Sequence, residues 1–305
     1  MTTTTRFKMF FVFLLIFVTA CGSAANAAQP QPQVLAVESF LADITRNVAG
    51  DRLTVDSLIP EGLDPHAFDP APQDVARITD SRVLVVNGAG LEAWLQPVLE
   101  NAGGEHIVIE AAAGLQSRPP TTGLSEHGEE TDPHFWLDPL SVVAYVENIR
   151  AGLSHADPDG TGDYANNAAA YTDQLTQLDG WIRAQIETIP PERRLMVTNH
   201  ESFGYYADRY GLTIVGAIIP NASPSASPSA QELAGLIQTI RTSGAPAIFL
   251  ETGTNAQLAE QLAAETGIQV VTGLYTHSLT LPDGAATDYI GMMRYNTQMI
   301  VQALQ

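Results

Sequence analysis

Val83-Leu84-Val85-Val86-Asn87-Gly88-Ala89-Gly90-Leu91 decides the fold class. Four consecutive branched apolar residues suit a strand buried on both faces. The Asn-Gly-Ala-Gly run is a turn that ends the strand. A helix over 91–99 carrying Trp94 should follow, and then a strand over 107–109. Strand, helix and strand joined by a crossover of this length indicate a parallel α/β sheet. Upstream, the same alternation reads as strands over 34–37 and 53–59 and a helix over 39–49. A second helix over 73–79 has Val75 and Ile78 three apart on its apolar face.

Downstream, residues 163–189 are helical with almost no breaker. Tyr164, Ala168, Tyr171, Leu175, Leu178, Ile182 and Ile186 recur at threes and fours. At the rise of an α-helix this element is roughly 40 Å long, more than one small sheet needs. It reads as a backbone helix spanning two lobes, ended by Pro190-Pro191. Beyond it the strand–helix style repeats. Strands are expected over 195–198, 213–219, 247–250 and 269–271, and helices over 201–210, 257–265 and 288–304. Another helix opens at the capping box Ser229-Ala230-Gln231-Glu232, after an irregular Ser/Pro/Ala-rich stretch over 221–230. The fold class is α/β. Two lobes, 34–160 and 191–305, each carry a four-stranded, mainly parallel sheet flanked by helices, and one long helix over 161–190 joins them.

The first residues stand outside this pattern. Arg6 and Lys8 precede an apolar run from Met9 to Val18, too short to span a bilayer, so 1–20 reads as a signal peptide. The only cysteine, Cys21, follows Val18-Thr19-Ala20 and precedes Gly22-Ser23. This resembles the bacterial lipobox, whose cysteine becomes the lipidated N-terminus. Residues 21–33, small and polar, would be a flexible tether. The expected location is extracytoplasmic, with the lipid on Cys21 holding the chain to the bacterial cell membrane. A single cysteine in that place excludes an intramolecular disulfide and a thiolate metal site in the folded part. The formal charge of −20 makes the surface a poor nucleic-acid binder.

Chemistry is concentrated in histidines. Asp132-Pro133-His134-Phe135-Trp136-Leu137-Asp138-Pro139 has a near-copy in Asp64-Pro65-His66-Ala67-Phe68-Asp69-Pro70. Proline fixes its own φ and pushes the preceding residue into an extended conformation, so each histidine leaves a stiff, non-helical bend. An imidazole held that way arrives already oriented for a metal. Of the seven histidines, His106 and His155 read as solvated, and His127 lies in an acidic loop, Ser125-Glu126-His127-Gly128-Glu129-Glu130. The remaining four are His66, His134, His200 and His277. His66, His200 and His277 each follow the carboxyl end of a strand, where open parallel sheets bind ligands. Two come from each lobe, which describes a cleft. Four imidazoles would fill a tetrahedral shell suited to Zn²⁺ and leave no open position, making the metal cargo and not a catalyst. Imidazole must be neutral to bind, so affinity should fall as pH drops through the histidine range.

These motifs resemble the metal-specific solute-binding lipoproteins of ABC importers, the zinc and manganese group called TroA-like or ZnuA-like. The likeness runs through Asp64-Pro65-His66, the stretch from Asn87 to Leu95, and the stretch from Asp132 to Pro139. It continues through His200-Glu201-Ser202-Phe203-Gly204-Tyr205, Tyr210-Gly211-Leu212, the Ser229 box and Tyr275-Thr276-His277-Ser278-Leu279. It covers essentially the whole mature chain. It implies two α/β lobes joined by one rigid helix, a metal at their interface, little hinge motion, and a monomer that delivers metal to an ABC permease and its ATPase subunit. It implies His66 and His134 as the first two ligands and His200 as the third, where zinc members tend to have histidine and manganese members glutamate. His277 stands where aspartate is usual. Either His277 coordinates, or a nearby acid such as Asp283 or Glu251 takes over. The acidic loop stands where zinc members often carry a His-rich loop.

Zn²⁺ is the expected transported ion, with Mn²⁺ or iron the alternative. A zinc hydrolase is a rival reading, needing three ligands, a water and a base such as Glu201 or Glu251. An organic-ligand receptor or adhesin with structural histidines is another.

Overall fold

The computed structural model describes residues 1–2, 33–103, 105–118, 132–219 and 227–305. Nearly all of the expected signal peptide and tether, Cys21 included, lies outside them, as do His127 and the acidic 125–130 stretch.

The first half runs β1 (Val34–Ala36), α1 (Ser39–Ala49), β2 (Val55–Ser57), α2 (Pro72–Asp80), β3 (Val83–Val86), α3 (Leu95–Ala102), β4 (Ile107–Glu110) and α4 (Pro139–Ala156). Next comes α5 (Thr161–Ile186). The second half runs β5 (Leu195–Thr198), α6 (Gly204–Tyr210), β6 (Thr213–Ala217), α7 (Ala230–Ser243), β7 (Ala247–Glu251), α8 (Gln257–Thr266), β8 (Gln269–Leu274) and α9 (Tyr289–Leu304). Each half forms one four-stranded sheet, in the orders β2-β1-β3-β4 and β6-β5-β7-β8. Every pairing is parallel. The strand order reverses direction between β1 and β3, and again between β5 and β7. Such reversal points open a crevice at the carboxyl ends of the strands.

Two helices begin later than their sequence patterns suggest, for chemical reasons. The helix expected from Leu91 starts at Leu95 because Glu92 folds back, accepting hydrogen bonds from the Asn87 and Gly88 N–H groups at 2.5 and 3.0 Å. Ala89 takes φ +53°, a left-handed conformation rare for a residue with a side chain. The helix expected from Glu201 starts at Gly204, because a tight turn intervenes in which Ser202 N–H donates to the His200 carbonyl at 2.9 Å. By contrast, α4 starts where Asp138-Pro139 places it. The Asp138 carboxylate accepts from the Leu140 N–H at 2.9 Å and Pro139 fills the first turn.

One core runs through both lobes. Tyr164, Tyr171, Leu175, Leu178 and Ile182 of α5 are buried in it, together with Phe40 and Trp136 of the first half and Met196, Phe249, Met293 and Leu304 of the second. Polar ties cross the same seam. The Trp136 indole N–H, its ring stacked on Phe40 with centroids 4.5 Å apart, donates to the Thr276 carbonyl at 2.6 Å. The Tyr289 hydroxyl donates to the Trp136 carbonyl at 2.7 Å. Leu279 N–H donates to the Ser39 hydroxyl at 2.8 Å, and Tyr289 N–H to Asp43 at 2.9 Å. α5 is therefore one of several connections between the halves.

At the reversal point of the first sheet lies a buried carboxyl pair. Glu38, which follows β1, is 1% exposed, and neither of its carboxyl oxygens has a well-formed hydrogen bond among the described residues. Burial first, and then the Glu92 charge beside it, push its pKa well up. Burial also raises Glu92, to about 7, against the pull of the Asn87 and Gly88 N–H groups. The folded chain thus holds a proton that the unfolded chain has released, between the ordinary value of 4.5 and about 7, and stability contributed by this pair declines as pH rises through that window. Glu38→Gln removes one of the two charges while keeping the shape. In urea titrations it should match the parent near pH 5 and exceed it at pH 8 by about 1–3 kcal/mol. A difference independent of pH would count against the shared proton.

Candidate metal centre

The two Asp-Pro-His copies share one local device. Asp64 accepts from the His66 backbone N–H at 2.9 Å, and Asp132 from that of His134 at 3.0 Å. Each is an Asx turn with a stiff proline between carboxylate and histidine. In each copy the proline carbonyl is also anchored. Trp94 Nε1–H donates to the Pro65 carbonyl at 3.0 Å, and the Asn87 amide donates to the Pro133 carbonyl at 3.1 Å. The Tyr145 hydroxyl donates to the other end of that amide. One segment, Asn87 to Trp94, thereby sets both histidine turns of the first lobe.

The second lobe supplies His200, just after β5, and His277, just after β8. All four Nε2 atoms converge. His134 Nε2 stands 3.2 Å from that of His66, 3.3 Å from that of His200 and 3.4 Å from that of His277. Each of the four residues offers a ligand atom within 4.8 Å of every other. His134 and His200 are fully buried, and the His277 side chain is 10% exposed.

Carboxylates stand behind three of the rings. His134 Nδ1 is 2.8 Å from Asp132. Glu251, at the end of β7, lies 2.7 Å from His200 Nδ1 and 3.4 Å from His277 Nδ1. The His200 contact is close without being lined up as a straight hydrogen bond. Glu251 is itself held by the Thr276 hydroxyl at 2.7 Å and the Ser202 hydroxyl at 3.0 Å. A carboxylate at Nδ1 fixes the tautomer with its proton there, which turns the Nε2 lone pair toward the centre.

The same contacts set the charges. Burial, and then the neighbouring imidazoles, hold His66 far below the ordinary histidine range, while His277 is lowered to about 3. At His200 burial also pulls down, but Glu251, with Asp64 and Asp132, outweighs it and the net shift is upward. Burial alone would raise Glu251; the two imidazoles reverse that and bring it to about 2. The pocket thus contains a carboxylate that stays ionised and at least two rings that stay neutral, which is the donor set of a divalent-cation site.

Glu251, read from sequence as a possible ligand or base, is an orienter behind two rings and is not among the four clustered residues. Asp283, the other possible fourth ligand, is exposed. Glu201 is buried next to His200 in the chain. His106 bonds the Ser81 and Gly103 carbonyls, and His155 is exposed near the end of α4. Sequence reasoning missed the role of Asp132. Its signal was the aspartate two residues before each histidine, a spacing that lets one carboxylate reach both backbone and ring.

Comparison with known proteins places this geometry. The family described as "Zinc-uptake complex component A periplasmic" matches residues 34–303. The manganese-binding lipoprotein MntA of Halalkalibacterium halodurans is 31% identical over 301 residues, covering 98% of each chain. The manganese ABC transporter substrate-binding lipoprotein PsaA of Streptococcus pneumoniae is 29% identical over 301 residues, covering 96% of each. Among solved structures, the Mn-bound periplasmic metal-binding protein of Candidatus Liberibacter asiaticus is 29% identical, with a TM-score of 0.81 over 90% of this chain and 100% of that one. The periplasmic zinc-binding protein TroA of Treponema pallidum is 26% identical, with a TM-score of 0.80 over 90% and 99%. A hydrolase has no place among such relatives. The chain belongs to the zinc-uptake component A family, as a metal-binding receptor of an ABC importer.

Proposed function

We propose that this protein is the extracytoplasmic zinc receptor of an ABC importer, holding one Zn²⁺ between its lobes through His66, His134, His200 and His277. The spacing of the Nε2 atoms carries this reading. Zinc–imidazole bonds of 2.0–2.1 Å in a tetrahedron require nitrogens about 3.3–3.4 Å apart. The three separations from His134 are 3.2, 3.3 and 3.4 Å. A centre of four neutral nitrogens suits zinc, whereas manganese leans to oxygen ligands. Manganese is the second reading, because MntA and PsaA carry that metal in their names. At His200, where the family resemblance leads one to expect glutamate in manganese receptors, this chain has an imidazole, and His277 adds another where aspartate is usual.

The receptor acts as a monomer, tethered through lipid on Cys21, and hands its ion to a permease driven by an ATPase subunit. The lipobox-like sequence around Cys21 supports the tether, as does the word lipoprotein in the relatives' names. Among the described residues no helix is long and apolar enough to cross a membrane.

Elemental analysis of the purified mature chain should find one zinc per chain, displaced weakly or not at all by excess manganese. His200→Ala and His277→Ala should each weaken zinc by more than about a hundredfold, since an outer partner alone is worth about 10–100-fold. Zinc binding lost in His200→Ala and retained in His277→Ala would refute the four-nitrogen centre. Tighter manganese than zinc binding would favour the second reading.

Glu251→Gln tests the orienting carboxylate. Every first-contact ligand remains, but two imidazoles lose their charged partner, and zinc affinity should fall about 10–100-fold in competitive titration. An unchanged affinity would show that packing alone holds the rings.

A further inference from the structure

The four rings are almost closed off from solvent, so a cation needs a way in. A cavity of about 630 Å³ lies over the carboxyl ends of all four strands of the second sheet, bounded on one side by α8 and on another by the Gly62-Leu63-Asp64 loop of the first lobe. It shares Asp64, Glu251 and His277 with the metal centre. Its other polar groups are uncharged amides and hydroxyls, among them Thr252, Thr254, Gln257 and Gln261. Asn199, directly before His200, lines it too. Asn199 is 3% exposed and its side chain has no hydrogen-bond partner among the described residues. Asp64 uses one oxygen on the His66 N–H, and its other oxygen likewise has no hydrogen-bond partner among the described residues. At the junction of cavity and centre, the Asn199 amide and one Asp64 oxygen are therefore without hydrogen-bond partners among the described residues.

We propose that this cavity is the passage by which the hydrated cation reaches and leaves the four histidines, with Asp64 and Asn199 as transient oxygen ligands at its inner end. The inference rests on the four-histidine reading. Neutral oxygens and one carboxylate bind a borderline cation more weakly than four imidazoles do. They replace its waters in turn without holding it, the balance that a conducting path requires. The ion gains protein oxygens, loses waters, and then exchanges oxygens for nitrogens. The rim is narrow on the side where the lobes meet. Gly62 N–H donates to the Ser278 hydroxyl at 2.9 Å, and a Cβ on Gly253 would lie 3.7 Å from the Gly62 carbonyl.

The test is stopped-flow association and dissociation of zinc alone, on the full mature chain, with a chromophoric chelator as reporter. Gln257→Trp and Gln261→Trp, one turn apart on α8, fill the cavity without touching the centre. Each should slow arrival and departure together by about tenfold, leaving Kd unchanged. Asp64→Asn keeps the acceptor for His66 N–H and removes the charge. It should slow arrival by a similar factor. Unaltered rates in both tryptophan variants, with normal zinc content, would overturn the passage alone. So would weaker Kd at an unchanged association rate. A parent chain without stoichiometric zinc would overturn the four-histidine reading, and the passage with it.

Discussion

Four imidazole nitrogens gathered in one place, three of them 3.2–3.4 Å from the fourth, that of His134, set the problem that the rest of the molecule answers. Lone pairs at that distance repel unless a proton or a cation lies among them. The rings face inward because Asp132 and Glu251 hold three of them by the other nitrogen. Those carboxylates are buried, and burying a charge is costly unless it is paired and hydrogen-bonded. Glu251 meets that condition with two hydroxyls and two imidazoles. Asp132 meets it at one oxygen with the His134 backbone and ring, and its other oxygen has the Arg118 guanidinium 3.6 Å away without a direct hydrogen bond.

Oriented rings make a site only if the lobes keep their spacing. In the proposed zinc centre the metal–nitrogen distances are defined to about 0.1 Å, and half of the histidines come from each lobe. A single helix, however stiff, would leave the two halves free to twist about it. The shared core and the contacts of Trp136, Leu279 and Tyr289 remove that freedom. Trp136 matters doubly, because its own ring lies 5.1 Å from that of His134 while its N–H reaches across to the carbonyl next to His277. The residue that docks the lobes is also packed against the centre, so spacing and site are set together.

Much of this was legible in the sequence, and what was not has physical reasons. Strand-length apolar runs and breakers located the eight strands found among the described residues, and the helical period located α5. The four histidines stood out because three follow strand ends and two lie in Asp-Pro-His turns. Element starts at Leu95 and Gly204 were not legible, since a carboxylate folded back on the chain and a serine turned toward Glu251 decide them. Periodicity does not register such contacts. Nor could spacing reveal that Glu251, 51 residues from His200, would be its partner. The segment from Asn87 to Trp94 was recognisable as a motif, yet its work, anchoring the Pro65 and Pro133 carbonyls, appears only when the chain is folded.

In the four-histidine centre proposed above, a cation shared equally between lobes would also be a cross-link between them, and this bears on release. Whatever binds only the joined form stabilises it, by an amount that grows with the ratio of free ion to Kd. The coupling is reciprocal: any contact that draws the lobes apart weakens the ion by the same free energy. Parting them removes His200 and His277 from His66 and His134, so a small separation leaves two imidazoles where there were four. Retention and delivery then need no large hinge motion. A docking partner has only to bind the slightly parted form more tightly than the joined one, since a ligand shifts an equilibrium by no more than its differential affinity for the two states. The buried seam around Trp136 and Tyr289 sets how much differential affinity that partner must supply.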